Sequence, residues 1–451
     1  MSADPTHKSV LSNGMRVITE AMPSVRTASM GIWVGTGSRY ESAGIHGVSH
    51  FLEHLFFKGT HRRSALEIAQ AVDALGGQMN AFTDREHTCF YVKVLANHLP
   101  TVVELLADML LDSALDPEAI ERERQVITEE IKAYEDSPDE LVQDLMAQTI
   151  WDGHPLGRSV IGTRRTVSKM QRDDFVRYIE ERYRPNNLVI SVAGNVEHEA
   201  VVGLIDAHFG RWDGRVSEQP TEVPAIVPAT RLRVKDVEQV HLTLATRGRA
   251  QGDDGLYVLE VLDNVLGSGM SSRLFHEIRE KRGLVYTIAS YAASYREGGL
   301  FVIYAAMSPE NGPEVVRLTF DEVAGLPASL TDQEVTRAKE SLKGNIMLSL
   351  ESTGSRMTNL ARSEFYYGRQ IELDEIIRRI DAVTPEAVRA EARAIFTPDQ
   401  LAMAAIGPFR AQQELAADLE RTFGDCLTRL SPPALPAAAP AEAAPVPTTV
   451  G

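Results

Sequence analysis

Two stretches of this chain repeat one another. The run Arg184-Pro185-Asn186-Asn187-Leu188-Val189-Ile190-Ser191-Val192-Ala193-Gly194 aligns with the run that ends at Gly407, and Pro185 and Pro398, like Gly194 and Gly407, stand 213 residues apart. Each follows an amphipathic helix and reads as a turn leading into a buried strand. A chain of 451 residues is too long for a single core, so the repeat predicts two copies of one α+β unit. The expected division is a short extension over 1–9, a first unit over 10–213, a linker over 214–231, a second unit over 232–428, and a Pro/Ala-rich tail over 429–451. The linker contains a Pro-, Val- and Ala-rich run from Glu218 to Thr230. The tail has too few large apolar residues to bury a core and is expected to be disordered.

Local signals fill in the first unit. Asn13-Gly14 reads as a turn between short strands, and Thr27 to Gly35 as a further strand. Ser64-Ala65-Leu66-Glu67 is a capping box that opens a helix ending at Gly76-Gly77. Residues 78–95 alternate, with Phe90 and Val92 on one face and Tyr91 and Lys93 on the other. Helices dominate 99–151, and Ser137-Pro138-Asp139-Glu140 reads as a second capping box.

The first unit also carries Val48-Ser49-His50-Phe51-Leu52-Glu53-His54. On a helix His50 and His54 lie one turn apart on one face, where two imidazoles can grip a single Zn²⁺. Glu53 is adjacent and can reach a water on that metal without being a ligand. Hydrolysis of a peptide bond by a metal needs this division of labour: neutral nitrogens to hold the Lewis acid and a carboxylate to take the proton from the attacking water. The order His-x-x-Glu-His is the reverse of the commoner zinc motif. An amphipathic helix with two surface histidines is the plainer alternative, and it weakens if the chain supplies a third ligand. Asp116-Pro117 opens a helix with a capping acceptor and a proline at its first position. Ile120, Ile127 and Ile131 form its apolar stripe, and Glu123 and Glu130 lie two turns apart beside it. A carboxylate forced toward the apolar side is costly unless paired or metal-bound. This makes Glu130 the ligand candidate and Glu123 a partner that orients a ligand histidine. Pitch alone leaves a solvated charged face open for both.

At these residues the chain resembles a known family. His46 to Thr60 is similar to the pitrilysin-type inverzincin zinc peptidases, most of all to the mitochondrial processing peptidase catalytic (beta) subunit and its bacterial homologues; insulin-degrading enzyme is a distant relative. The resemblance runs from about residue 10 to about residue 425. It implies an α+β fold of two homologous α/β-roll domains, antiparallel sheets packed with helices, forming a clamshell around a central cavity. The family's third ligand lies in Val-Ile-x-x-Glu-Ile, here Val126-Ile127-Thr128-Glu129-Glu130-Ile131, so the match is Glu130 and not Glu129. Glu123 matches the supporting acid. Gly76 to Glu86 resembles the edge strand on which the family lays its substrate, which implies Asn80, Ala81 and Phe82 as substrate-binding residues. Arg279-Glu280-Lys281-Arg282-Gly283-Leu284-Val285-Tyr286 resembles the run that supplies an Arg and a Tyr to the catalytic cavity. Arg279 and Tyr286 are then expected to anchor substrate and stabilise the oxyanion. The alternatives are a helix-surface charge and a strand residue.

The implied protein is a zinc endopeptidase acting on small or unfolded peptides, with one Zn²⁺ per chain held by His50, His54 and Glu130 and with Glu53 as base. It is expected to be a homodimer, with a heterodimer with an inactive homologue as the variant. The rival is a noncatalytic or partner-dependent subunit of a larger complex, but such relatives usually have a degraded zinc motif, and this one is whole.

The second copy has no His-x-x-Glu-His; Leu262 to Phe275 stands in its place. Its Gly267-Ser268-Gly269 lacks the Gly-Lys-Ser/Thr ending of a phosphate loop and is shorter than the Gly-rich loop of the family's noncatalytic alpha partner. A net charge of −17 argues against nucleic-acid binding. No run of eighteen apolar residues is present, so no membrane span is expected. The two cysteines, Cys89 and Cys426, and an N-terminus without a signal-peptide core suit a cytoplasmic protein. Cys89 reads as a packed strand residue. His46, His87 and His154 read as hydrogen-bonding or packing residues. Glu135, Asp136, Asp139 and Glu140 are either a negative cavity rim or a solvated turn.

Overall fold

In the computed structural model the described residues are 6–217, 221–410 and 412–430; residues 431–451 of the expected tail lie outside them. The first sheet contains β1 (Thr6–Val10), β2 (Arg16–Ala21), β3 (Thr27–Val34), β4 (Gln78–Thr83), β5 (Thr88–Leu95) and β6 (Leu188–Gly194). Between β3 and β4 come α1 (Val48–Leu55) and α2 (Ala65–Ala74). After β5 come α3 (Leu99–Leu111), α4 (Pro117–Asp136), α5 (Pro138–Ile150), α6 (Arg164–Val167) and α7 (Arg172–Arg182), and α8 (His198–Phe209) follows β6. The second sheet contains β7 (Thr230–Val234), β8 (Val240–Arg247), β9 (Thr287–Ser294), β10 (Gly299–Met307) and β11 (Ala402–Gly407). Its helices are α9 (Leu256–Leu266), α10 (Gly312–Ser329), α11 (Asp332–Ser349), α12 (Thr353–Tyr367), α13 (Leu373–Asp381), α14 (Pro385–Ile395) and α15 (Gln413–Leu427).

The strand order is β1-β2-β6-β3-β5-β4 in the first sheet and β7-β11-β8-β10-β9 in the second. Without β1 the two orders superimpose. In both, the first pair of this shared order is parallel (β2 with β6, β7 with β11) and the rest are antiparallel. The result is a two-domain α+β architecture, in which β4 and β9 each form one edge of their sheet and β1 and β7 the other. Strand β1 begins at Thr6, inside the segment read as an extension, because residues 6–9 pair with β2. Strand β7 begins at Thr230, within the expected linker.

The period-2 pattern explains why both faces of each sheet are covered. In the first sheet Met30, Ile32, Phe90 and Val92 face a core shared with α1, α3 and α4. Their neighbours Trp33, Cys89 and Val189 face the other way, onto Met357, Leu360, Ala361 and Phe365 of α12. That helix comes from the second half of the chain. Reciprocally, Leu141, Val142, Leu145, Met146 and Ile150 of α5 pack on Leu300, Val302, Ala402, Ala404 and Ile406 of the second sheet. Each repeat lends one helix to the other's sheet, so units divided at the linker are repeats of sequence and not separately packed bodies.

The first capping box forms: Ser64 Oγ accepts from Glu67 N at 3.3 Å, and Glu67 Oε2 accepts from Ser64 N at 2.7 Å. The second does not. Ser137 is at once the last cap of α4 and the first of α5, and its hydroxyl donates back to the Ala133 carbonyl at 3.2 Å.

Candidate metal centre

Helix α1 is only eight residues long, and its N-cap is Gly47 at φ 95°, a conformation that favours glycine and offers no side-chain cap. The missing acceptor comes from Glu41, whose carboxylate accepts from Gly47 N at 2.6 Å and Ser49 N at 2.8 Å. Phe51, Leu52 and Leu55 bury the other face of α1 in the core, beside Ile120, Ile127 and Ile131 of α4. Helix α4 starts as its sequence dictates: Asp116 accepts from Glu118 N and Ala119 N at 2.9 and 3.0 Å, and Pro117 follows.

The crossing of the two helices brings together His50, His54 and Glu130. His50 Nε2 is 3.6 Å from Glu130 Oε1, and His54 Nε2 is 3.6 Å from Glu130 Oε2. All three donor atoms lie within 4.8 Å of one another. Zinc bonds of roughly 2.0–2.2 Å in a tetrahedron put neighbouring donors roughly 3.3–3.6 Å apart, so two neutral nitrogens and a carboxylate at this spacing fit that ion. The Glu130 side chain is 43% exposed, which leaves an open side toward solvent. Contact with the His50 ring holds the Glu130 carboxyl below the usual carboxylate range. Glu129, the neighbouring acid, points to solvent and pairs with Lys132.

Around this cluster stand two further carboxylates. Glu123 is buried; its Oε2 is 3.2 Å from His54 Nδ1 and its Oε1 is 2.9 Å from Lys58 Nζ. His50 Nδ1, by contrast, is buried with no hydrogen-bond partner. Glu53, half-buried, accepts a hydrogen bond from Thr83 Oγ1 at 2.6 Å.

Thr83 ends β4, so the substrate-strand candidates adjoin the cluster through it. Asn80 Oδ1 already accepts from Ala81 N at 2.8 Å; a peptide that pairs with this edge must replace that bond. Phe82 packs edge-on against Trp33, with ring centroids 5.4 Å apart. Phe82 and Thr83 line a cleft of about 500 Å³ together with Ala292, Ala293 and Ser294 of β9. One edge strand of each sheet thus borders this cleft.

Arg279 and Tyr286 are not joined to the cluster by any hydrogen bond or ion pair. The Arg279 guanidinium lies 4.7 Å from the Phe275 ring centre and 4.0 Å from Glu280, and Tyr286 is 74% exposed. The three further histidines weighed from the sequence have structural partners. His46 bonds the Ser159 carbonyl, His154 Nδ1 accepts from Leu156 N, and His87 packs at a tilt against the Phe365 ring. Burial pushes the Cys89 thiol well up, so it is no nucleophile. Glu135 and Asp136 pair with Arg164 and Lys235 on the surface, whereas Glu140 lines a cavity with Gln143 and Asp144. Sequence reasoning missed Glu41, Lys58 and Thr83. Only Lys58, four residues after His54, carried a spacing signal.

Comparison with known proteins gives two family matches. Residues 16–164 match the family described as Insulinase (Peptidase family M16), and residues 169–342 match the Peptidase M16 inactive domain. A relative from Bacillus subtilis, the uncharacterized zinc protease YmxG, is 41% identical over 397 residues, 88% of this chain and 97% of the relative. Among solved structures, a protease from Helicobacter pylori superimposes with a TM-score of 0.82 at 23% identity, covering 89% of this chain and 99% of that one. A chain of Complex III2 from Candida albicans superimposes with a TM-score of 0.81 at 20% identity, covering 93% and 99%. Those two likenesses are likenesses of fold.

Proposed function

This chain belongs to peptidase family M16, and from that premise we propose that it is a zinc endopeptidase for small or unfolded peptides. A metallopeptidase is what its zinc-protease relatives support; the endopeptidase activity and the mechanism are our reading. The observation that carries it is the convergence of His50 Nε2, His54 Nε2 and Glu130 on one point, with Glu53 next to His54 in the chain.

In this reading His50, His54 and Glu130 hold the ion. When bound, zinc supplies a Lewis acid that polarises a carbonyl and makes water more acidic. Glu123 accepts from His54 Nδ1–H, which leaves the Nε2 lone pair free for the ion. Lys58 balances the buried Glu123 charge. Glu53 takes one proton from the attacking water and delivers it to the leaving amine nitrogen. The substrate lies extended along β4, exchanging the Asn80 contact on Ala81 N for its own carbonyl and setting a side chain against Phe82. Arg279 and Tyr286 face it from the second repeat. The working form is a homodimer.

The test is hydrolysis of a quenched fluorogenic peptide containing Arg by the purified chain, before and after chelation. Cleavage that is lost on chelation and restored by one equivalent of Zn²⁺ is expected. Cleavage that survives removal of all metal would overturn the reading.

A further inference from the structure

Glu53 is held by a single side chain. Thr83 Oγ1 donates to its Oε2 at 2.6 Å, and its Oε1 has no hydrogen-bond partner among the described residues. Among the described residues the Thr83 hydroxyl has one other hydrogen-bond partner, Thr88 Oγ1 at 3.5 Å, the residue directly opposite it in the β4–β5 pair. Thr88 is fully buried and uses its own proton on the Thr36 carbonyl at 3.0 Å. The only proton on Thr83 Oγ1 therefore has one acceptor at short range, Glu53.

We propose that Thr83 is a positioning residue for the base. Its hydroxyl fixes Glu53 Oε2, so that Oε1 is the oxygen presented to water. The proposal rests on the reading of Glu53 as general base. The balance is simple: one proton moves from water to Oε1 and then from Oε1 to the amine nitrogen, while Thr83 keeps its own. A neutral donor suits this role, since a cation there would pair with the base and hold it back. Thr83 also closes the strand on which substrate is read, two residues after Ala81. The base is thereby referenced to the same piece of backbone as the peptide it acts on, and a near-attack geometry depends on that common reference.

The test uses Thr83→Val, which keeps the β-branched shape and removes the hydroxyl, and Thr83→Ser, which restores it. Two readouts are taken on wild type and both variants: the Glu53 conformation in crystals of the metal-free protein, and kcat and KM on the fluorogenic peptide with zinc content measured. Wild type and Thr83→Ser are expected to show one Glu53 conformer with its carboxylate on residue 83. Thr83→Val is expected to show more than one, with kcat lower on the order of 10-fold, KM within about twofold and zinc retained. The proposal is overturned if Thr83→Val keeps Glu53 in the wild-type conformer, or if Thr83→Ser loses as much kcat as Thr83→Val. Failure of the wild type to cleave would count against the peptidase reading alone, because the conformer comparison still decides the role of Thr83.

Discussion

Glu123 is 6% exposed, and a carboxylate so enclosed needs partners on both oxygens. It has them in His54 Nδ1 and Lys58 Nζ. Removing it leaves the His54 ring free to turn or to change tautomer, so Glu123→Ala is expected to weaken zinc binding roughly 10–100-fold, read by competition against a chelator. Unchanged affinity would show that His54 is held by its helix alone. Arg279 is a harder case, because the structure joins it to nothing in the cluster. If it meets the substrate, Arg279→Ala lowers kcat/KM on the order of 100-fold with zinc content unchanged; equal kcat/KM would return it to the helix surface. At this scale the sequence was most readable where two candidate site residues share one helix. His50 and His54 follow from pitch, and Glu123 and Glu130 share α4. Thr83 and Glu41 reach α1 across turns and strands, and no spacing rule links residue 41 to 47 or 83 to 53.

Among elements, α9 is one whose stability is expected to depend on pH. It carries Glu260 and Asp263 on neighbouring turns, and burial pushes their carboxyls up to about 7 and about 6. A carboxyl raised in the fold favours the folded state while protonated. For Glu260 that contribution is fully present below its ordinary value of 4.5 and is lost as pH rises through about 7. Glu260→Gln removes the ionisation. The variant's melting temperature should therefore match wild type near pH 4.5 and exceed it increasingly toward pH 8; a difference independent of pH would contradict this. Elements with strong local signals were legible: the Ser64 cap, the Asp116-Pro117 start and the alternation over β5. Ser137 was not, because a capping box assumes a free chain before the helix. Here α4 runs to Asp136, and the serine is spent on its last turn.

For the whole molecule, the repeat at 213 residues made the duplication visible, and the two sheets do share one order. What no repeat can reveal is the exchange of α5 and α12, since both helices look the same in sequence whichever sheet they cover. The exchange is reinforced by ion pairs across the halves, Lys8 with Glu364 at 2.7 Å and Arg39 with Glu297 at 2.6 Å. It follows that damage in one repeat should be felt in the other. Met357→Ala, a cavity in α12, is expected to destabilise by about 2–5 kcal/mol and to speed hydrogen exchange in β3 and β6 more than in β8 and β11. Faster exchange confined to the second sheet would mean that the helices are not shared. Among the described residues no helix is long and apolar enough to cross a membrane.

The most direct test of the central claim is zinc content and peptide hydrolysis measured together on the wild type and on Glu53→Gln. About one zinc per chain is expected in both proteins and cleavage in the wild type alone, as befits a base that is not a ligand. Equal cleavage by Glu53→Gln, or a chain that binds no zinc at His50, His54 and Glu130, would contradict it.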